Sequence, residues 1–350
     1  MQSQRYGPIA MRMSRIFGDG SMKRREFITL IGGVSVAWTM AARAQISRPA
    51  TRIGVLMGIG DTDPEATPRV EALLKGLQEL GWNEGKNIHL DYRWTAGDVD
   101  KAQLFAKEIV DLKPDVIVVH SSPAVAALRR LTSQIPMVFV LVADPIGSGF
   151  VETLSHPGGN ITGFMNADAP MAGKWLGLIM EIAPNVRRVA LIYNPRTSPY
   201  ASFLRAFDAS ARQIGLEAIP TPVLDADELE RAIAELGKTP NSAFFVVPDV
   251  FVQVHRALIV SLAEQHRLPA IYPYRFFPTS GGLLSYGFDT VIVFRQAASY
   301  VDKILRGASP ADLPVQAPAT FKMVVNLKAA RAIGLNIPES FLVRADEIIE

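Results

Sequence analysis

The chain has 350 residues, of which 49% are hydrophobic and 20% charged, with a formal net charge of +2. This length exceeds what a single hydrophobic core usually accommodates, so it predicts two lobes. The sequence contains no cysteine, which excludes disulfide bonds, thiolate metal sites and a cysteine nucleophile.

The N-terminal part has the pattern of an export signal. Lys23, Arg24 and Arg25 precede an uncharged, mostly apolar run over residues 28–42. The sequence Ala-Arg-Ala at 42–44 then fits the small-x-small pattern of a signal-peptidase site. Because the run is shorter than the ~20 residues that cross a bilayer, we expect a cleaved signal and not a permanent anchor.

The paired arginines before Phe27 resemble the twin-arginine export signal, although an ordinary secretory leader with a basic head has the same residues. Residues 1–21 show no periodic pattern, so we expect them to be an overrun ahead of a start at Met22. The expected leader is therefore 1–44, and Gln45 begins the mature chain.

The leader carries the excess positive charge. Residues 1–44 contain seven Lys and Arg and two acidic residues, so that of the 36 basic and 34 acidic residues 29 and 32 remain in the mature chain. This balance of about −3 predicts no nucleic-acid-binding face. The mature chain also lacks the cysteine that would carry a lipid anchor, so we expect free protein in the periplasm.

Apolar runs and helical spacings alternate from residue 52 to residue 142. Strands are predicted where apolar residues are continuous or alternate, and helices where they recur every three or four positions. In chain order these are a strand over 52–57, a helix over 70–80, a strand over 87–93, a helix over 104–112, a strand over 115–120, a helix over 124–131 and a strand over 136–142. The alternation indicates βαβ units on a parallel sheet that is covered by helices on both faces.

The same alternation resumes after Gly173 and predicts a second lobe like the first. Its elements are a helix to 182, a strand over 188–193, a helix over 202–214, a strand over 216–220, a helix over 228–236, a strand over 243–247, a helix over 252–266 and a strand over 270–272.

The C-terminal part is too short for a third lobe. It predicts a strand over 281–286, a long helix over 291–305, a strand over 321–325 and a short helix ended by Gly334. We expect these pieces to complete both lobes, so that several strands cross between them and permit hinge bending. The expected fold is α/β, with two Rossmann-like lobes on parallel sheets joined by a multi-strand hinge. The first lobe is expected to comprise 48–164 with part of 288–318, and the second 165–287 with part of 319–350.

Several short motifs carry a family resemblance. They are ADPIGSGFV at 143–151, PGGNITGF at 157–164, HRLPAIY at 266–272, GGLLSYG at 281–287 and a C-terminal stretch over 326–347. In this order the chain resembles the ABC-transporter substrate-binding family with the type I periplasmic-binding-protein fold, in the branch that includes tryptophan- and tyrosine-binding components. The resemblance covers residues 51–349. It implies two lobes that close on one small ligand, which is then delivered to a membrane permease.

In parallel α/β sheets, ligands bind at the carboxyl ends of strands, close to helix N-termini. Ser121 and Ser122 stand at such a junction, where hydroxyl groups and backbone N–H groups suit a ligand carboxylate. The alternative is that one of these serines only caps the helix that Pro123 begins. Asp144 follows the next strand and is open to the same two interpretations.

The corresponding junctions of the second lobe supply the other candidate ligand residues. Hydroxyl groups and aromatic rings are suited to hydrogen bonding and stacking, and a carboxylate is suited to an α-ammonium group. For each carboxylate a plain helix cap is an equal alternative, and aromatic residues near strand ends are often core residues. The candidates are Thr197, Ser198, Tyr200, Asp249, Tyr286 and Asp289.

An enzyme is the main rival class. The sequence has no G-x-S-x-G, H-E-x-x-H or P-loop motif, and its five histidines lack metal-ligand spacing. His120 alone ends a predicted buried strand, where a satisfied core histidine is the alternative to a general base. We therefore predict no catalytic residue, no metal and no cofactor. The expected protein is a monomeric binding protein for an aromatic or branched apolar amino acid, with an ABC permease as its partner. A ligand-binding partner of a membrane sensor is the second hypothesis.

Overall fold

The computed structural model describes residues 50–166, 169–197 and 199–350. The predicted leader and its cleavage site lie outside these residues. The first lobe is built on the strands and helices β1 (Thr51–Met57), α1 (Ala66–Glu79), β2 (Ile88–Trp94), α2 (Val99–Asp111), β3 (Val116–His120), α3 (Ser122–Leu131), β4 (Met137–Val142) and β5 (Ile161–Met165).

The strands of the first lobe form a parallel sheet in the order β2-β1-β3-β4-β5. Every residue of β3 and of β4 is buried, because helices cover both faces of the sheet centre, and this explains their continuous apolar sequences. Strand β2 lies at the edge and is only partly buried, as its alternating sequence predicts. Asp98 begins α2 by accepting hydrogen bonds from the backbone N–H groups of Asp100 and Lys101.

Strand β5 is absent from the sequence-based prediction. It has five residues and contains Gly163, and glycine in so short a run weakens the strand signal. The strand forms because its residues pair with β4 and because Asn160 donates from Nδ2 to the carbonyl oxygen of Ile135 at 2.7 Å. Pairing with β4 therefore determines that this segment forms a strand.

The chain then builds the second lobe and returns to both. Its elements are α4 (Met171–Ile182), β6 (Arg188–Tyr193), α5 (Ala201–Gln213), β7 (Glu217–Pro222), α6 (Ala226–Gly237), β8 (Ser242–Val246), α7 (Val250–Val254), α8 (Arg256–Gln265), β9 (Ala270–Tyr272), α9 (Phe276–Thr279), β10 (Leu284–Gly287), α10 (Thr290–Leu305), a 3₁₀ turn (Pro310–Asp312), β11 (Lys322–Asn326), α11 (Leu327–Ala332), α12 (Glu339–Leu342) and β12 (Glu347–Ile349).

The second sheet has the order β12-β11-β10-β9-β8-β6-β7 and is parallel except where β10 meets β11. Helix α10 lies against α1 of the first lobe, where Arg295 forms an ion pair with Glu79 at 2.8 Å and Trp82 donates from Nε1 to Asp302 at 2.8 Å. The chain thus passes between the sheets after β5, after β10 and before β11. The predicted fold class, α/β with parallel sheets in two lobes, is confirmed.

The prediction of one helix over 252–266 is wrong, because two helices, α7 and α8, meet at His255. Asp249 caps α7 and so begins it earlier than the apolar spacing indicates. The ring of His255 then bonds through Nδ1 to the carbonyl oxygen of Phe251 at 2.9 Å. The break between the helices therefore results from a helix cap and a side-chain contact. The spacing of apolar residues along the chain reveals neither of them. In the described part of the chain, no helix has the length and apolarity that crossing a membrane requires.

Candidate functional site

The carboxyl ends of strands in the two sheets face each other and make direct contacts. Ser202 on α5 donates to Asp144 Oδ2, just after β4, at 2.9 Å. Asn166, which follows β5, donates from Nδ2 to the carbonyl oxygen of Pro248 at 2.9 Å. Gly97, after β2, lies so close to Val254 that a Cβ atom there would be 3.0 Å from the valine side chain. The two lobes are therefore closed on each other.

Several buried polar side chains lie close to these strand ends. Loops at strand ends normally meet solvent, and a buried polar group costs free energy unless it is hydrogen-bonded. A cluster of buried polar side chains between two lobes is therefore the first candidate for a binding site. Its members are Thr95, His120, Ser121, Ser122, Asn166, Asn194, Thr197, Asp249 and Gln253.

Asp249 is the one carboxylate among these nine residues. Tyr200 donates its hydroxyl to Asp249 Oδ2 at 2.5 Å, and the backbone N–H of Phe251 donates to Oδ1 at 2.5 Å. Burial raises the pKa of Asp249, and these two hydrogen bonds oppose that rise. Burial and the neighbouring Asp249 also raise the pKa of Tyr200 well above its ordinary value, so the phenol stays a donor. Asp249 thus caps α7 with a carboxylate that is buried between Tyr200 and the start of the helix.

Thr197 lies beside the Tyr200–Asp249 pair. It lies within hydrogen-bonding reach of both Tyr200 and Asp249, and its hydroxyl donates to the carbonyl oxygen of Asn194 at 2.8 Å. Because a threonine hydroxyl has one hydrogen, this donation leaves its oxygen to accept from a further donor. The neighbouring candidate, Ser198, lies outside the described residues.

The two serines of the first lobe do not act as helix caps. Ser121 occupies the cap position of α3, but its side chain makes no capping hydrogen bond. Ser122 instead accepts a hydrogen bond at Oγ from the backbone N–H of Ala143 at 3.2 Å. Ser121 also has φ = 89° and ψ = 149°, a strained backbone conformation of the kind that occurs at ligand sites. The capping interpretation is therefore wrong for both side chains.

His120 is buried and neutral. Burial, and secondly the positive charge of Arg69, hold its pKa well below the ordinary value. Its Nδ1 accepts a hydrogen bond from the backbone N–H of Gly58 at 3.1 Å, which leaves the ring proton on Nε2. His120 therefore ties the end of β3 to the end of β1.

This environment predicts a pH-dependent stability. The folded-state pKa of His120 is lowered, so its contribution is present above about pH 6.5 and is lost as the pH falls below that value. We expect the free energy of unfolding to fall by up to about 1.4 kcal/mol per pH unit because of this group. In His120→Asn, whose Oδ1 can still accept from Gly58, urea titrations between pH 7 and pH 5 should show a shallower slope. Equal slopes would contradict a neutral buried His120.

Asp144 and Tyr200 line one cavity between the lobes. Asp144 is half-buried, accepts from the Gly147 N–H at 2.8 Å and has φ = 37°. The cavity has a volume of about 360 Å³, within the ~300–1,000 Å³ range of small-molecule sites. Most of its wall is apolar, and its lining includes Asp144, Ile146, Met165, Tyr200, Ser202 and Phe203.

Tyr286 and Asp289 have other surroundings. Tyr286 stacks on Phe321, with 5.7 Å between ring centroids, and the ammonium of Lys174 lies 5.5 Å from its ring centroid. Asp289 is exposed and caps α10 through the N–H groups of Val291 and Ile292. It lines a separate cavity with Glu65 and Arg275. The structure brings Thr197, Tyr200 and Asp249 together and joins Asp144 to the same cavity as Tyr200, but it gives Asp289 the cap role.

Four residues between the lobes were missed by sequence reasoning: Asp63, Arg69, Gln253 and Arg256. Arg69 is fully buried, and its Nη2 donates to Thr290 Oγ1 at 3.3 Å. A signal was present for it, because Arg69 falls on the same buried stripe of α1 as Ala72 and Leu73, at helical spacing. The predicted helix began only at residue 70 and so left this arginine out.

The sequence matches a known family along most of its length. The family model described as "ABC transporter substrate binding protein" matches residues 58–349. The chain belongs to this family. Proteins of the ABC transporter substrate-binding family bind a substrate and are not enzymes.

Relatives of known structure or name support the assignment. A conserved domain protein of Vibrio cholerae is 30% identical, with a TM-score of 0.79 over 85% of this chain and 99% of that one. An ABC domain from Streptococcus pneumonia, solved in complex with L-Trp, is 27% identical, with a TM-score of 0.79 over 86% of this chain and 100% of that one. A tyrosine-binding protein of Clostridioides difficile is 24% identical over 78% of each chain.

Proposed function

We propose that this substrate-binding protein captures an aromatic amino acid between its lobes, outside the cytoplasm, and delivers it to a membrane permease. The observation that carries the proposal is the buried carboxylate of Asp249 at the lobe interface, hydrogen-bonded to Tyr200. A buried carboxylate with a raised pKa gains from a cationic partner, and the α-ammonium group of an amino acid supplies one.

Two other features of the interlobe region suit the rest of such a ligand. The first turn of α3 presents backbone N–H groups beside Ser121, where the partial positive charge of the helix favours a carboxylate. The cavity beside Tyr200 is mostly apolar and suits an aromatic side chain. The proposal therefore assigns the ammonium group to Asp249, the carboxylate to the start of α3 and the ring to the cavity.

The relatives support the same ligand class. One is named for tyrosine, and another was crystallised with L-Trp. Export rests on the predicted signal at 1–44 and delivery to a permease on the family. Partnership with a membrane sensor is the alternative, and uptake of labelled ligand by cells that lack the gene separates the two. Transport predicts that uptake is lost, whereas sensing predicts that it is kept.

The ligand class can be tested on the purified mature chain. We expect L-tryptophan or L-tyrosine to raise the melting temperature, because a ligand at about 100 times its Kd stabilises the folded state by ~2.7 kcal/mol. Isothermal titration calorimetry of the amino acid that gives the shift then measures its affinity. Stabilisation by a sugar or nucleoside, with no response to any amino acid, would overturn the proposal.

A further inference from the structure

The break between α7 and α8 turns two polar side chains towards the first lobe. Arg256, the first residue of α8, forms an ion pair from Nη1 to Asp63 Oδ2, in the loop between β1 and α1, at 2.8 Å. Gln253, on α7, lies against Arg69 on α1. With its amide oxygen facing the guanidinium, that oxygen is 2.8 Å from Nη1 and 3.1 Å from Nη2. We call Asp63, Arg69, Gln253 and Arg256 the interlobe clasp.

The clasp is shielded from water. The side chains of Arg256 and Asp63 are only 15% and 9% exposed, and Arg69 is fully buried. The ion pair between Arg295 and Glu79 on α10 and α1 is about half exposed and lies within the first lobe. Shielded ion pairs are less screened by salt than exposed ones, and removing one partner of a shielded pair destabilises the state that contains it.

Both arginines of the clasp have further neighbours in their own lobe that offset their charge. Arg69 is 3.5 Å from Glu65, donates to Thr290 and lies over the ring of Phe294 at 5.7 Å. Arg256 donates to the carbonyl oxygen of Gln253 and lies over the ring of Phe276 at 5.6 Å. Opening the lobes separates the two pairs that cross between them and leaves the compensation within each lobe.

We propose that the interlobe clasp stabilises the closed form and thereby sets the affinity for the ligand, through contacts made between the lobes themselves. The inference rests on the proposed function in taking closure to accompany ligand capture. A ligand that binds the closed form has an apparent affinity scaled by the fraction of protein that is closed. Loss of the clasp therefore weakens binding without removing a group assigned to the ligand.

The absence of cysteine allows a direct measurement of closure. Lys101→Cys on α2 and Arg231→Cys on α6 place one exposed thiol on each lobe for a donor and an acceptor dye. We expect Arg256→Gln and Asp63→Asn each to shift the single-molecule energy-transfer distribution towards the open form in the absence of any amino acid. With L-tryptophan as the probe, we expect Kd to rise about tenfold.

Three controls keep the result specific. Glu79→Gln removes an ion pair within one lobe and should change neither the distribution nor Kd. Arg256→Lys keeps the charge and should recover most of the closed population that Arg256→Gln loses. Thermal unfolding of each variant confirms that it is folded. Unchanged distributions in both Arg256→Gln and Asp63→Asn would overturn the clasp. Failure of L-tryptophan to bind the parent chain would instead count against the proposed function, since the ligand-free distributions test the clasp independently.

Discussion

Replacing Asp249 by asparagine is expected to weaken binding of the aromatic amino acid by about 30- to 100-fold, because a buried charge-assisted hydrogen bond to the ammonium group is lost. The same change should leave the ligand-free protein at least as stable at pH 7. Burial raises the folded-state pKa of Asp249, so its protonated form favours folding at low pH, and that contribution is lost as the pH rises above the ordinary value of 3.8. Asparagine is neutral and removes this cost.

The asparagine side chain can keep the local hydrogen bonds. Its Oδ1 can accept from the Phe251 N–H, and its Nδ2 can donate to the Tyr200 hydroxyl oxygen. Calorimetric titration and thermal unfolding of the ligand-free variant measure the two effects separately. Asp225→Asn is the matched control, since Asp225 is an exposed cap of α6 and should affect neither. An Asp249→Asn variant that binds within twofold of the parent would contradict the role assigned to this carboxylate.

A Gly287→Ala change should destabilise the fold by more than about 3 kcal/mol or abolish recovery of folded protein, because overpacking against backbone cannot be relieved by a rotamer change. Gly287 ends β10 at the point where the chain leaves for the first lobe. A Cβ atom at this position would lie 1.7 Å from the carbonyl oxygen of Pro273. Relieving this clash would require moving the end of β10 or the segment after β9. Both segments position the chain where it crosses to the first lobe.

Gly177→Ala in α4 is the matched control for this prediction. Gly177 is exposed, and no heavy atom of the rest of the fold lies within 4 Å of the Cβ position. Alanine there should stabilise the helix by about 0.5–1 kcal/mol, because glycine loses more backbone entropy on folding. Urea unfolding followed by tryptophan fluorescence measures both variants. A Gly287→Ala midpoint at or above that of the parent would contradict the close approach of these two segments.

The sequence predicts most of the fold because its signals there are local. The continuous apolar sequences of β3 and β4 predict central strands, and the alternating sequence of β2 predicts an edge. The sequence does not predict strand β5, because the strand forms through pairing with β4. It also does not predict the break at His255, because a helix cap and a side-chain contact cause that break. Local propensity is a weak guide where tertiary contacts decide.

The candidate site is only partly predictable for the same reason. Asp249 and Asp289 look alike in sequence, since each precedes a helix, and each does cap one. Only the folded structure separates them, because Asp249 is buried and Asp289 is exposed. Gln253 and Arg69 likewise meet only when the lobes close, and no spacing along the chain predicts such a contact.

A crystal structure of the mature chain grown with L-tryptophan would locate the ligand directly. We expect the amino acid between the two lobes, with its amino nitrogen within about 3.2 Å of an Asp249 carboxylate oxygen and its carboxylate at the start of α3. An amino nitrogen bound instead at Asp289, or a ligand bound outside the interlobe cleft, would contradict this expectation.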